Sequence, residues 1–251
     1  MKRRGRLIII NILFFATFLS CAIDQEEIRK KAENHLQLGH AYFREGKHRM
    51  ALWEYQQAEK GDPENPEIHY SLGFTYFVLK KYDESIRHFH KAITLKKDYS
   101  EAYNDLGCVY LVLERWDEAI KMFEKAVSNI FYATPEIAYT NMGWAYYKKK
   151  DYVNAIDNYK KSIEIRRNIA QPYFYLGLVY KDMKNYNQAI VEFGKAIKLA
   201  PNFAEPYFHL GEAYLSIGDR EKARQELKQF ISLAPEGNLL EEAKRLLDQI
   251  K

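Results

Sequence analysis

The chain has little of what builds irregular or cross-linked folds. Of 251 residues, 12 are glycine, 7 proline and 2 cysteine. Sparse glycine and proline exclude a collagen-like or low-complexity chain. Cys21 and Cys108 supply no disulfide framework. There is no His-Glu-x-x-His, no Gly-x-Ser-x-Gly and no glycine-rich phosphate loop, so no enzymatic constellation and no cofactor are expected. No apolar run reaches the roughly 20 residues of a transmembrane helix. What is abundant is tyrosine, at 20 residues, which fits a helix-rich chain with a bulky aromatic interior.

The N-terminus reads as an export signal. Lys2, Arg3, Arg4 and Arg6 precede an apolar stretch of 13 residues from Leu7 to Leu19, interrupted only by Asn11 and Thr17. A short apolar core behind a basic start, ending at a small residue, is a secretory signal pattern. Phe18-Leu19-Ser20-Cys21 resembles the bacterial lipobox, in which the cysteine thiol takes the lipid. The resemblance implies attachment at Cys21, and Ala22 after it implies the outer membrane. An ordinary secretory signal and an uncleaved N-terminal anchor are the alternatives. Residues 1–20 carry all of the formal +4 charge and no acid, so the remainder is neutral. A neutral chain offers no electrostatic footprint for nucleic acid.

Beyond residue 31 one layout recurs. Leu-Gly-x-x-Tyr, or Met for Leu, places Gly39, Gly73, Gly107, Gly143, Gly177 and Gly211 at intervals of 34, 34, 36, 34 and 34 residues. Apolar residues three and four apart lie on one side of a helix. A polar break then leads to a second such helix, as in Ala189, Phe193 and Ala196. Two short amphipathic helices cannot bury their apolar faces alone, so neighbours must stack. The glycine lets the first helix approach the second, at about 1 kcal/mol of helix propensity, and the small residue at the twentieth position is the expected facing contact. Pro63, Pro201 and Pro235 close three repeats. Lys97, Phe131 and Arg167 stand there in the others, and straighter junctions are expected at those points.

The pattern resembles the tetratricopeptide repeat, which implies an all-α solenoid of six helix pairs in a right-handed superhelix. The expected layout is a signal peptide at 1–20 and a lipidated tether and helix start at 21–31. Six repeats follow over 32–235 (32–65, 66–99, 100–135 with a two-residue insertion, 136–169, 170–203 and 204–235), then a capping helix at 236–251. The insertion is either a tolerated loop or a bent junction exposing Phe131 and Tyr132, with Pro135 opening the next helix and Thr134 as its cap. Asn238 is the expected cap of the last helix, whose apolar stripe is Leu239, Leu240, Ala243, Leu246, Leu247 and Ile250.

In such arrays the first helices line a concave groove. The resemblance then places Tyr70, Phe74, Phe77, Asn104, Trp144, Tyr147, Phe174, Leu178 and Phe208 on a peptide-binding surface, with Trp144 and Phe74 as anchors. For each ring the alternative is packing into a thickened core. No small-molecule substrate is implied. Cys108 reads as a packing residue. No metal site is expected: His35 and His69 take a position that aromatics hold in other repeats, and His88 and His90 lie on different sides of a helix. Lys148, Lys149 and Lys150 read as a solvated tip.

A lipid anchor ahead of six such repeats resembles the type IV pilus pilotin family. That implies a protein client, a secretin subunit, helped to assemble in the outer membrane by a chain anchored on its periplasmic face. A general cell-envelope adaptor recruiting a protease, a cell-wall enzyme or an outer-membrane assembly factor is the alternative. An enzyme accessory or hidden hydrolase is a third class, disfavoured by the missing constellation.

Overall fold

The computed structural model describes residues 25–233 and 236–250. The expected signal segment 1–20, the expected lipidation site Cys21 and the closing Pro235 lie outside them. The first helix, α1, covers residues 25–44. It is followed by α2 (His48–Gly61), α3 (Pro66–Val78), α4 (Tyr82–Leu95), α5 (Ser100–Val112), α6 (Trp116–Val127) and α7 (Pro135–Lys148). Then come α8 (Tyr152–Ile165), α9 (Ala170–Asp182), α10 (Tyr186–Leu199), α11 (Glu205–Ser216), α12 (Arg220–Leu233) and α13 (Asn238–Gln249). No strand occurs among the described residues. The all-α class expected from the periodicity holds. The chain divides within α5 into two compact units, one ending at Val109 and one beginning at Tyr110.

Each pair turns at one residue in the left-handed region, at the same place in every repeat. These are Gly46 (φ 74°), Lys80 (φ 59°), Glu114 (φ 56°), Lys150 (φ 62°), Lys184 (φ 60°) and Gly218 (φ 85°). The turn is closed by backbone bonds, as where Lys80 N–H donates to Phe77 O at 2.9 Å and Lys81 N–H to Tyr76 O at 2.8 Å. That double bond satisfies carbonyls the helix end leaves open. Four copies hold this conformation without glycine, at a cost of roughly 1–2 kcal/mol each, so the packing on either side dictates the turn.

Between pairs the helix stops whether or not proline follows. With Pro63 and Pro201, α2 and α10 end at Gly61 and Leu199; with Lys97 and Arg167, α4 and α8 end at Leu95 and Ile165. The stop lies two residues ahead in all four, so the expectation of straighter junctions is not met. Thr134 takes the expected cap position ahead of Pro135 in α7, though its side chain makes no cap bond, and one cap assignment changes. Asn238 is the first residue of α13, behind Gly237.

The glycine at the heart of four pairs meets a ring, and a Cβ on Gly211 would meet the Leu227 side chain at 2.8 Å. A Cβ on Gly39 would lie 2.4 Å from Tyr55 Cε1, on Gly143 2.7 Å from Tyr159 Cε1, and on Gly177 2.4 Å from Phe193 Cε1. Tyr55, Tyr159 and Phe193 are fully buried. The space of the missing side chain is therefore filled from the twenty-fourth position, not the twentieth. The twentieth residue reaches the backbone instead, as where Ser85 Oγ donates to Gly73 O at 2.7 Å.

In the first unit Leu36, Ala51, Tyr55, Ala58, Ile68, Leu72 and Tyr76 form one core. In the second, Phe174, Leu178, Ala189, Phe193, Ala196 and Leu210 form another. At the end of that unit Ala243 and Ile250 join Phe208, Leu227 and Phe230, with Leu246 and Leu247 packed alongside. Leu239, in the same expected stripe, is 41% exposed.

Candidate functional site

The odd-numbered helices carry the expected contact residues at three repeat positions: fifth, ninth and twelfth. Their burial separates them. The fifth-position residues Leu36, Asn104, Thr140, Phe174 and Phe208 are buried, Phe208 at 2% exposure. At the ninth and twelfth, Phe74, Phe77, Trp144 and Tyr147 keep part of their surface, and only Leu178 is buried. So Asn104, Phe174, Leu178 and Phe208 are packing residues, a correction to their expected exposure. The reason is that the fifth residue points at the junction to the next repeat. Phe174 packs on Phe203 with ring centroids 5.0 Å apart, and Tyr70 on Tyr99 at 5.1 Å.

In the first unit the surface is an aromatic row over one half-buried carboxylate. Phe43 and Phe74 lie 5.5 Å apart, Tyr70 and Phe74 6.3 Å, and Phe77 packs on Tyr82 at 6.2 Å. Tyr70 O–H donates to Asp105 Oδ2 at 2.8 Å, and Asn104 Nδ2 to Oδ1 at 3.1 Å. Burial raises the Asp105 carboxyl above the ordinary range, opposed by these two bonds. Burial, then the Asp105 charge, pushes the Tyr70 phenol up. Burial foremost pushes the Cys108 thiol up to about 12, so it is a thiol and not a nucleophile. The expected packing role of Cys108 fits this environment.

In the second unit Trp144 is the centre. Its ring lies 5.3 Å from Tyr147 and 5.0 Å from Tyr175. Lys148 Nζ sits 5.5 Å over Trp144 and 5.9 Å over Trp116, a cation on the negative face of each ring. Tyr147 O–H donates to Asp182 Oδ2 at 2.8 Å. Lys149 is bonded to Asp117. The three lysines are thus not a purely solvated tip, because two have partners on this unit.

Farther along the same unit, Lys181 Nζ donates to Glu212 Oε2 at 2.7 Å, and His209 Nδ1 lies 2.7 Å from the same oxygen. Burial lowers His209, against the pull of Glu212. For Glu212, burial pushes upward, but the bonds from His209 and Lys181 prevail and hold it below the usual range. A groove ligand here meets an internally neutralised pair, not a free charge.

Asp105, Asp182, Tyr175 and His209 were not foreseen. The clue is spacing: Tyr70 to Asp105 and Tyr147 to Asp182 are each 35 residues, one repeat plus one step. At the insertion, Ile130 and Phe131 are 88% and 86% exposed. Tyr132, expected exposed with Phe131, is buried at 7%. Contrary to the expectation of no metal-ligand set, Glu59, His69 and His88 converge among the described residues. No described helix is long and apolar enough to cross a membrane.

Sequence-family models match most of the described chain. The TPR repeat model covers 39–80 and 179–218, and tetratricopeptide repeat models cover 65–130, 137–169 and 204–236. Residues 131–136, in the stretch that holds the two-residue insertion, fall in a gap between matches. No curated protein sequence matches the chain. Among solved structures it is similar to PilW, a widely conserved type IV pilus biogenesis factor, with 23% identity and a TM-score of 0.78 over 85% of this chain and 98% of that one. It is also similar to PilF of Pseudomonas aeruginosa, with 18% identity and a TM-score of 0.75 over 88% of this chain and 99% of that one. YrrB, a TPR protein with an unusual peptide-binding site, shares 22% identity and a TM-score of 0.59 over 76% of this chain and 97% of that one. Repeat spacing, helix pairs and family matches agree: the chain belongs to the tetratricopeptide-repeat proteins, all-α scaffolds for protein–protein interaction.

Proposed function

We propose that this chain is a membrane-anchored, non-catalytic scaffold of the type IV pilus pilotin kind. It binds secretin subunits and promotes their assembly in the outer membrane. The observation that carries the reading is the match to PilW and PilF over 98% and 99% of their lengths, behind an N-terminus with a lipobox-like Phe18-Leu19-Ser20-Cys21. The contact surface offered is aromatic and half-buried, centred on Phe74 and Phe77 in one unit and Trp144 and Tyr147 in the other. Such rings anchor an apolar segment of a partner with little entropy to lose. Lipid chains at Cys21 hold the scaffold at its membrane, since each buried CH2 contributes about 0.8 kcal/mol and two or more chains anchor stably.

Two substitutions test the two halves of the reading. Cys21→Ser releases the chain from membranes in fractionation with lipid labelling; retention of the variant would sink the anchor. Trp144→Ala weakens capture of purified secretin subunits by about 30-fold, the equivalent of about 2 kcal/mol, and weakens capture more than it weakens folding, although the ring also packs against the core of its unit. Undiminished capture by the folded variant removes Trp144 from the surface. Capture of a protease or cell-wall enzyme in place of secretin favours the general adaptor instead.

A further inference from the structure

Three polar side chains from three successive helices meet in the first unit. Glu59 comes from α2, His69 from α3 and His88 from α4. His69 Nδ1 lies 3.3 Å from His88 Nδ1 and 3.6 Å from Glu59 Oε1, and His88 Nδ1 lies 4.0 Å from the same oxygen. We propose that Glu59, His69 and His88 form a binding site for a divalent metal ion of the zinc class.

The distances are those a metal demands. With ligand bonds of about 2.0–2.1 Å in a tetrahedral shell, two ligand atoms sit about 3.3 Å apart. One pair already has that separation, and the carboxylate, at 3.6 Å from His69 and 4.0 Å from His88, needs to close by about 0.3 and about 0.7 Å. The protonation chemistry agrees. His69 Nε2 lies 2.7 Å from the Pro63 carbonyl oxygen. A carbonyl only accepts, so Nε2 carries the proton and Nδ1 presents its lone pair to the cluster. This arrangement, one ring nitrogen donating to a backbone carbonyl while the other faces inward, is how proteins orient a ligating histidine. His88 stacks between His69 and Tyr76, with centroids 5.6 Å and 5.3 Å away, so its ring plane is held. Burial keeps its imidazole neutral, the form that ligates.

Packing alone explains this cluster less well. A Nδ1–H tautomer of His88 can donate to His69, but Glu59 Oε1 then faces two nitrogens from beyond hydrogen-bonding distance. A cation satisfies all three lone pairs together. Two imidazoles and one carboxylate suit zinc, cobalt or nickel over calcium or magnesium, which take oxygen ligands. Three protein ligands leave a fourth position for water. The His69 side chain is 5% exposed, that of His88 16% and that of Glu59 34%, so the carboxylate edge is the entry. An ion here ties α2, α3 and α4 together and stabilises the folded chain by mass action.

The test uses the untagged chain, stripped with a chelator and titrated with Zn2+ and Co2+. One equivalent of Zn2+ should bind and raise Tm, and Co2+ should give the strong visible absorption of a tetrahedral site. Glu59→Gln keeps shape and is partly exposed, so it folds; it should weaken Zn2+ by about 100-fold, given that loss of even an outer-shell partner costs 10–100-fold. His88→Gln should do the same, and His90→Gln, exposed on the same helix, should leave binding unchanged. Absence of saturable binding, or equal affinity in the parent and Glu59→Gln, overturns the assignment.

Discussion

Gly177 and Gly194 lie in adjacent helices of one pair, and alanine at each should act in opposite directions. At Gly177 the new Cβ would sit 2.4, 2.5 and 2.9 Å from Cε1, Cδ1 and Cζ of Phe193, where carbon atoms prefer about 3.5–4.0 Å. The ring must retreat by about 1 Å. It has nowhere to go: Phe193 is fully buried, with Phe174 and His209 rings each 6.0 Å away. Overpacking costs about 1–3 kcal/mol, and three buried ring atoms within 3 Å of the new Cβ put this site in the upper half of that range, about 2–3 kcal/mol. Alanine returns about 1 kcal/mol of helix propensity, so the net loss is about 1–2 kcal/mol. At Gly194 a Cβ meets nothing within 4 Å, and only the propensity gain of about 1 kcal/mol acts. The variants should therefore differ by about 2–3 kcal/mol. For a chain of this size that separates the melting midpoints by about 5–10 °C, with urea midpoints ordered likewise. If both variants move the same way, or Gly177→Ala melts with the parent, the close-approach explanation for the repeat glycine is wrong.

Two further predictions rest on buried groups. Cys108, whose thiol burial pushes up to about 12 from an ordinary 9.0, should resist iodoacetamide at pH 8 in the folded chain and react once urea unfolds it; prompt labelling in buffer would contradict its burial. The native chain keeps a proton that the unfolded chain loses above pH 9, so Cys108 makes stability fall as pH rises past that point. Glu212→Gln should lower Tm at pH 7, because Lys181 and His209 lose a shared carboxylate. Glu212 is held below the ordinary carboxyl value of 4.5, so its contribution is present above that pH and is lost on acidification. The gap between parent and variant should then close as pH falls below about 4.5; a gap unchanged across that range refutes the pairing.

Much of the architecture was legible because it repeats. A six-fold recurrence of Leu-Gly-x-x-Tyr at nearly constant spacing places apolar residues on helix faces, and a helix pair has few ways to bury them. The surface was half legible. Phe74, Phe77, Trp144 and Tyr147 have the partial exposure a contact surface needs, whereas Phe174 and Phe208 sit one helical turn earlier and are buried at the junction. Heptad-like arithmetic gives the side of a helix but not the depth. Depth depends on what the next repeat brings, and for Phe174 that is Phe203. The metal-like cluster was illegible for the same reason. Glu59, His69 and His88 are 10 and 19 residues apart, with no ligand motif, and only α2, α3 and α4 packed together bring them within reach.

The sequence by itself determined the class, the helix pairs, the turn positions and the residues shared for packing, since periodicity and side-chain volume are local properties. Tertiary structure decided the rest. It showed that a side chain from the paired helix, a ring in four repeats and Leu227 in another, fills the space over the glycine, and that lysines and a glutamate hold left-handed turns. It also showed which aromatics face outward and which histidines meet. Each of those outcomes depends on residues one repeat away, whose position no local pattern specifies.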